Sequence, residues 1–172
     1  MARLELRWRN STTHASQDTG RRDFLDFVVD GRSLHELLNA REGVTILGGW
    51  FPNAFFEAIY LRGLLLEHPG YLETGRYELY VCPICGDTGC GSTTMAIEAG
   101  TNRVIWKDFG METDYENNWD DHEVYTLFTL RGYEHVGPFE FERQQYGEAL
   151  LTWPLRPVDQ SDGSSVTRGA SP

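Results

Sequence analysis

Lysine is almost missing from this chain. Lys107 is the only one, and the other bases are Arg. Against 15 bases stand 26 acidic residues, for a formal net charge of −11. Phosphate contacts need a basic patch, so no nucleic-acid partner is expected. Long apolar runs are missing too. None approaches the roughly 20 residues that cross a bilayer, so no membrane partner is expected. The first residues, MARLELRWR, alternate polar with apolar and lack the continuous apolar stretch of a signal peptide. This reading places the protein in the cytoplasm. Catalytic signatures are also scarce. There is no Ser-centred elbow and no phosphate-binding glycine loop, and His35-Glu36 and His122-Glu123 each lack the second histidine of a helix-borne zinc protease motif. His14 and His68 fall in loop or helix-end settings, and no catalytic residue is assigned. The acidic stretch after Met111 lacks the alternating oxygen ligands and central glycine of an EF-hand loop.

What remains is enough for a sizeable core: 40% hydrophobic and 13% aromatic residues. Tryptophans at 8, 50, 106, 119 and 153 are spread over the chain, which favours one shared core. The expected organisation is one α+β domain over 1–153 and a disordered tail over 154–172, since 157–172 has almost no apolar content.

Local patterns fill in the domain. Leu4, Leu6 and Trp8 alternate with Arg3, Glu5 and Arg7 as in a half-buried strand, and Phe24 to Val29 reads as its hairpin partner across a polar loop, 10–22. Asp30-Gly31 signals a turn. Ser33 with Glu36 forms a capping-box pattern for a short helix. Val44 to Leu47 is a short strand candidate that ends at the Gly48-Gly49 bend. Residues 53–67 carry apolar side chains on too many sides for a narrow stripe, so a well-buried helix is expected there. Strands are expected over Tyr77–Val81, Ser92–Glu98 and Arg103–Phe109, with a further one over Val124–Leu130 and a last helix near 141–151. The fold expected is an antiparallel sheet, a meander around a cysteine turn, with two to three helices packed on it.

That turn holds every cysteine of the chain: Cys82, Cys85 and Cys90. Cys-Pro-x-Cys-Gly is the half-site of many zinc ribbons, because a two-residue gap lets both sulfurs converge on one ion about 2.3 Å away. Cys90 offers a third thiolate. The fourth ligand is open, with His122 and His135 as remote candidates and Asp87 and Asp108 weaker ones. Zinc is the cofactor this set implies. A second reading is thiol redox chemistry at Cys82 and Cys85, with Cys90 resolving. Its difficulty is that the segment after Cys85, Gly-Asp-Thr-Gly, does not start a helix. A third reading makes the cysteines ordinary small residues around a tight turn.

Charge supplies the other signal. Residues 1–42 balance, and residues 43–172, with eight bases and nineteen acids, carry the whole net charge. The stretch Met111 to Glu123 has six acidic residues and no base. It reads either as a solvated loop or as an edge for a basic protein partner. In the latter case Glu112, Asp114, Glu116, Asp120 and Asp121 supply charge, with Tyr115 and Trp119 as apolar anchors. An acidic binding protein of the immunity or inhibitor kind fits this description.

Three runs share a wider likeness: Tyr80-Val81-Cys82-Pro83-x-Cys85-Gly86-Asp87-x-Gly89-Cys90-Gly91, Val104-Ile105-Trp106-x-Asp108-Phe109, and Gly137-Pro138-Phe139-x-Phe141. With Leu6-x-Trp8-Arg9, Val28-Val29-Asp30-Gly31, Leu34-x-Glu36-Leu37-Leu38 and Tyr115-Glu116, they resemble a family of uncharacterised bacterial proteins marked by CPxCGDxGCG. The resemblance covers roughly 3–152 and implies one intact domain. Some members carry an oxidoreductase label, for which this chain has no cofactor motif.

Overall fold

The computed structural model describes residues 1–12, 21–40, 43–49, 54–70, 72, 74–86, 88–116, 124–129 and 132–156. The alternation at the N-terminus builds a strand. Leu4 and Leu6 are buried while Arg3 and Arg7 are exposed. This strand, β1 (Leu4–Thr12), pairs antiparallel with β2 (Arg21–Val29), from Leu4 opposite Val29 to Thr12 opposite Arg21. The loop expected over 10–22 is therefore shorter, because cross-strand pairing carries its polar ends into the ladder. Asp30 and Gly31, at φ +50° and +78°, turn the chain into β3 (Arg32–Ser33), the left-handed pair that a two-residue hairpin turn requires. Ser33 then caps α1 (Leu34–Leu37), its Oγ accepting the Glu36 N–H at 3.2 Å.

The second sheet is the meander. β4 (Tyr77–Tyr80), β5 (Ser92–Ala99) and β6 (Arg103–Glu116) pair antiparallel in that order. Two further strands lie in tandem along the far edge of β6: β7 (Val124–Thr129) against Met111–Glu116, and β8 (Phe139–Glu142) against Arg103–Trp106. β6 is longer than expected, since its acidic end pairs with β7 instead of looping out. A bulge interrupts it. Thr94 faces Gly110 but Ala96 faces Lys107, and Asp108 sits at φ +52°. The extra residue shifts the inward phase by one. Val104 and Trp106 are buried, and next comes Phe109, with Asp108 turned out.

The helices cover the core with unequal faces. α2 (Ala54–Leu64) buries only Tyr60, Gly63 and Leu64, whereas Phe55 and Phe56 are 66% and 53% exposed. The expectation of a well-buried helix over 53–67 is thus corrected. A single face packs, and its anchors are polar as well as apolar: Tyr60 donates to the Glu78 carbonyl at 2.8 Å, and the Leu64 carbonyl accepts from Tyr146 at 2.7 Å. The last helix, α3 (Arg143–Leu151), starts later than expected because Phe139-Glu-Phe-Glu is strand. Glu142 caps it, accepting from the N–H groups of Gln144 and Gln145. Tyr146 and Leu150 face inward, but Leu151 is 61% exposed.

Alongside α3, Gln145 reaches the free edge of β1. Its amide donates to the Leu4 carbonyl at 2.7 Å and accepts from the Leu4 N–H at 3.3 Å, the two bonds a neighbouring strand would make. Packing continues past residue 153. Trp8 donates to the Pro154 carbonyl at 2.7 Å, and Arg156 pairs with Asp23 at 3.0 Å. The rest of the expected tail, 157–172, lies outside the described residues. Among the described residues no helix is long and apolar enough to cross a membrane.

One contiguous core joins both sheets, α2 and α3. Its centre is Trp106, fully buried, with Phe27 and Phe141 at 5.3 Å and Tyr146 at 5.8 Å between ring centroids. Two polar clusters lie inside it. Asp26 accepts from Tyr80 and from Ser33, each at 2.6 Å, which ties the small sheet to β4. Glu112 accepts from Thr74 at 2.8 Å and pairs with Arg76 at 3.6 Å. Arg76 also donates to Thr94 at 2.9 Å and to the Asp108 carbonyl.

Beside the first cluster, His35 is 7% exposed and donates through Nε2 to the Gly43 carbonyl at 2.8 Å. Burial lowers its pKa, with Arg9 acting in the same sense, against the Gly43 hydrogen bond and the charges of Asp26 and Glu36. The unfolded chain therefore takes up this proton first as the pH falls. The stability His35 contributes is complete above its ordinary value of about 6.5 and is lost as the pH falls toward and through the lowered value, with a slope of at most about 1.4 kcal/mol per pH unit. Thermal melts between pH 7.5 and 5 are expected to drop less in His35→Gln than in the native chain. Equal slopes would rule His35 out as the group responsible.

Candidate metal centre

The cysteines occupy the first connection of the meander, and the fold pins both of its ends. Before it, Val81 exchanges two backbone hydrogen bonds with Val44, at 2.9 and 3.0 Å, so the expected strand at Val44–Leu47 is reduced to one bridge. The Gly86 N–H then donates to the Cys82 carbonyl at 2.9 Å, closing a turn around Pro83 and Ile84, with Gly86 at φ +68°. A single 3-10 turn, Thr88–Cys90, carries the third cysteine, and Gly91 at φ +89° swings the chain into β5. A Cβ at Gly91 would come within 3.1 Å of the Thr113 side chain, so the residue is held small as well as left-handed.

The three sulfurs lie within 4.8 Å of one another. Cys85 Sγ and Cys90 Sγ are 3.4 Å apart. A tetrahedral zinc–thiolate centre with bonds of 2.3 Å has sulfurs about 3.8 Å apart, so small side-chain movements seat the ion. Cys82 is half-buried, and Cys85 and Cys90 are exposed. The thiols differ in proton affinity. Burial pushes Cys82 up, but hydrogen bonds from the Cys85 and Ile84 N–H groups and contacts with the other two thiols outweigh it and hold Cys82 below its ordinary value. The hydrogen bond with Cys85, then burial, then the Cys82 contact push Cys90 up to about 12. The cluster thus favours a thiolate at Cys82 and a thiol at Cys90, and a divalent cation would reverse the balance at Cys90.

Of the other expected ligands, the described ones stand outside the sulfur group. His135 is exposed in the turn before Val136 and is not part of the sulfur group. Asp108 is turned out by the bulge and does not join it either. His122 and Asp87 lie outside the described residues, as does His14. His68 is held by the Ile59 carbonyl at 3.0 Å and the Pro69 carbonyl at 2.8 Å.

The acidic edge also changes. Glu112 is only 1% exposed, so it is removed from the surface set. The register that brings β6 beside β5 and β4 turns its carboxylate toward Arg76. Asp114, Tyr115 and Glu116 belong to β6, paired with β7. Trp119, Asp120 and Asp121 lie outside the described residues.

A groove of about 190 Å³ adjoins the sulfurs, lined among others by Gly43, Tyr80, Cys82, Cys90, Thr93 and Met111. Sequence reasoning missed it. Thr93 and Met111 are cross-strand partners, but Gly43 arrives from the segment before α2, and no local motif signals that meeting. No family model matches this chain, and neither the curated proteins nor the solved structures contain a significant match to it.

Proposed function

We propose that this is a non-enzymatic metal-binding protein whose Cys82, Cys85 and Cys90 hold one zinc ion as thiolates. The observation that carries this reading is the convergence of three sulfurs within 4.8 Å on one connection. Zinc suits the donor set because it takes thiolates in a tetrahedron and undergoes no redox change. A thiolate site of this kind persists in a reducing compartment, which accords with a cytoplasmic protein. In this role the ion fixes the turn that precedes β5, and the acidic surface is available to a basic protein partner. A low-salt pull-down that retains no basic protein counts against that second element.

Native mass spectrometry of freshly purified protein is expected to show one zinc per chain, lost on chelation and absent from Cys82→Ser. A metal-free mass short of one hydrogen pair would instead report a disulfide. That outcome would favour a second reading, dithiol–disulfide exchange with a disulfide-bearing substrate. In that reaction two cysteine thiols lose their protons and an electron pair, and the substrate is reduced to two thiols. Its support is the lowered Cys82 thiol, which favours the nucleophilic thiolate. Rapid alkylation of Cys82 at neutral pH with turnover of insulin disulfides would establish it.

A further inference from the structure

Three thiolates leave a tetrahedral zinc ion one position short, and the ion–sulfur unit carries one net negative charge. Among the described residues no imidazole or carboxylate joins the sulfur group. Within that set the fourth position is open to an outside donor, and the surroundings of the sulfurs restrict which kind.

The groove of about 190 Å³ is walled in part by Cys82 and Cys90 themselves, so it leads to the ion's position. None of its lining side chains carries a formal positive charge. The Tyr80 hydroxyl is directed to Asp26, so the groove meets that residue's ring. Met111, Pro83, Val81 and Ala40 add further apolar surface. An anionic donor would bring a second negative charge into a groove whose described lining holds no cation, on a chain whose net charge is already −11. A neutral donor adds none. The neutral donor that zinc takes most readily beside thiolates is an imidazole nitrogen, and a five-membered ring suits a groove of this size.

Resting on the three-thiolate reading above, we infer that the fourth position opens into this groove and takes an imidazole nitrogen from outside the chain. The nitrogen lone pair forms the new bond to the ion, a bound water leaves, and no proton is lost from the neutral ring. The source is either a free imidazole compound or a histidine side chain of another protein.

Cobalt(II) in place of zinc makes the site visible. Sulfur-to-cobalt charge-transfer absorption on loading tests the three-thiolate reading alone; if it is absent, that reading fails and the inference falls with it. With that absorption present, free imidazole is expected to shift the visible d–d bands saturably while the charge-transfer intensity stays constant, because the thiolate count does not change. A response to 2-mercaptoethanol stronger than that to imidazole, with charge-transfer growth of about one third as one thiolate joins three, would overturn the inference and leave the metal site standing. No spectral change with imidazole would do the same. Ala40→Leu narrows the groove and is expected to weaken imidazole roughly tenfold; unchanged affinity would overturn the route through the groove. The double variant His122→Ala, His135→Ala is expected to load with the native spectrum. An altered spectrum there would mean that the chain supplies its own nitrogen, which would also overturn the inference. A short peptide with one histidine separates the two sources: binding of the peptide points to a protein side chain, and binding of free imidazole alone points to a small molecule.

Discussion

Trp106→Ala is expected to be the most damaging single substitution in the described core. The side chain is fully buried and meets Phe27, Phe141 and Tyr146 edge-on, while its Nε1 donates to Tyr146 Oη at 3.3 Å. Phe27 belongs to the first sheet, Phe141 to β8 and Tyr146 to α3, so one indole joins three parts of the fold. Truncation removes that apolar area and leaves a void between elements that cannot close independently. Such changes cost about 3–5 kcal/mol, against total stabilities of about 5–15 kcal/mol. The melting temperature should fall by about 10 °C or more, measured by far-ultraviolet circular dichroism. Leu155→Ala, at a side chain 94% exposed, is the control and should melt like the native chain. A loss below about 1 kcal/mol in Trp106→Ala would refute the assigned centre of the core.

Arg76→Ala should follow closely. Arg76 is 9% exposed and Glu112 1% exposed. Burial lowers the Arg76 pKa, and the charges of Glu112 and Asp108 act against that. Once Arg76 is removed, the Glu112 carboxylate keeps Thr74 but loses the cation paired with it among the described residues. Breaking a buried pair from one side costs about 3–5 kcal/mol, whereas replacing both partners with apolar residues of similar size is often near neutral. Urea denaturation of Arg76→Met, Glu112→Leu and the double variant Arg76→Met, Glu112→Leu therefore forms a cycle, with Arg76→Ala beside it. The double variant is expected to be more stable than either single one. If the loss in the double variant equalled the sum of the two single losses, the two groups would be energetically independent.

Much of this architecture was legible in the residues because local rules governed it. The alternation at Leu4–Trp8, the Asp30-Gly31 turn, the Ser33 cap and the strand–cysteine–strand order each follow from chemistry within a few positions. The failures share a cause at longer range. Glu112 reads as surface charge in an acidic run, and only pairing with β5 and β4 places Arg76 opposite it. The Asp108 bulge reverses which residues face inward, and nothing before Phe109 announces it. Phe55 and Phe56 look buried because a uniformly apolar helix does not state which side meets the core. At the cysteines, spacing revealed the cluster, but the groove beside it depends on Gly43, which is distant in sequence.

The hydrogen bonds exchanged between Gln145 and Leu4 bear on how copies of this protein behave at high concentration. A sheet margin with open N–H and C=O groups recruits the margins of other molecules, and sheets grow into aggregates by that route. Here a side-chain amide takes the place of the next strand at Leu4, so two of the groups through which such growth would begin are already satisfied within the molecule.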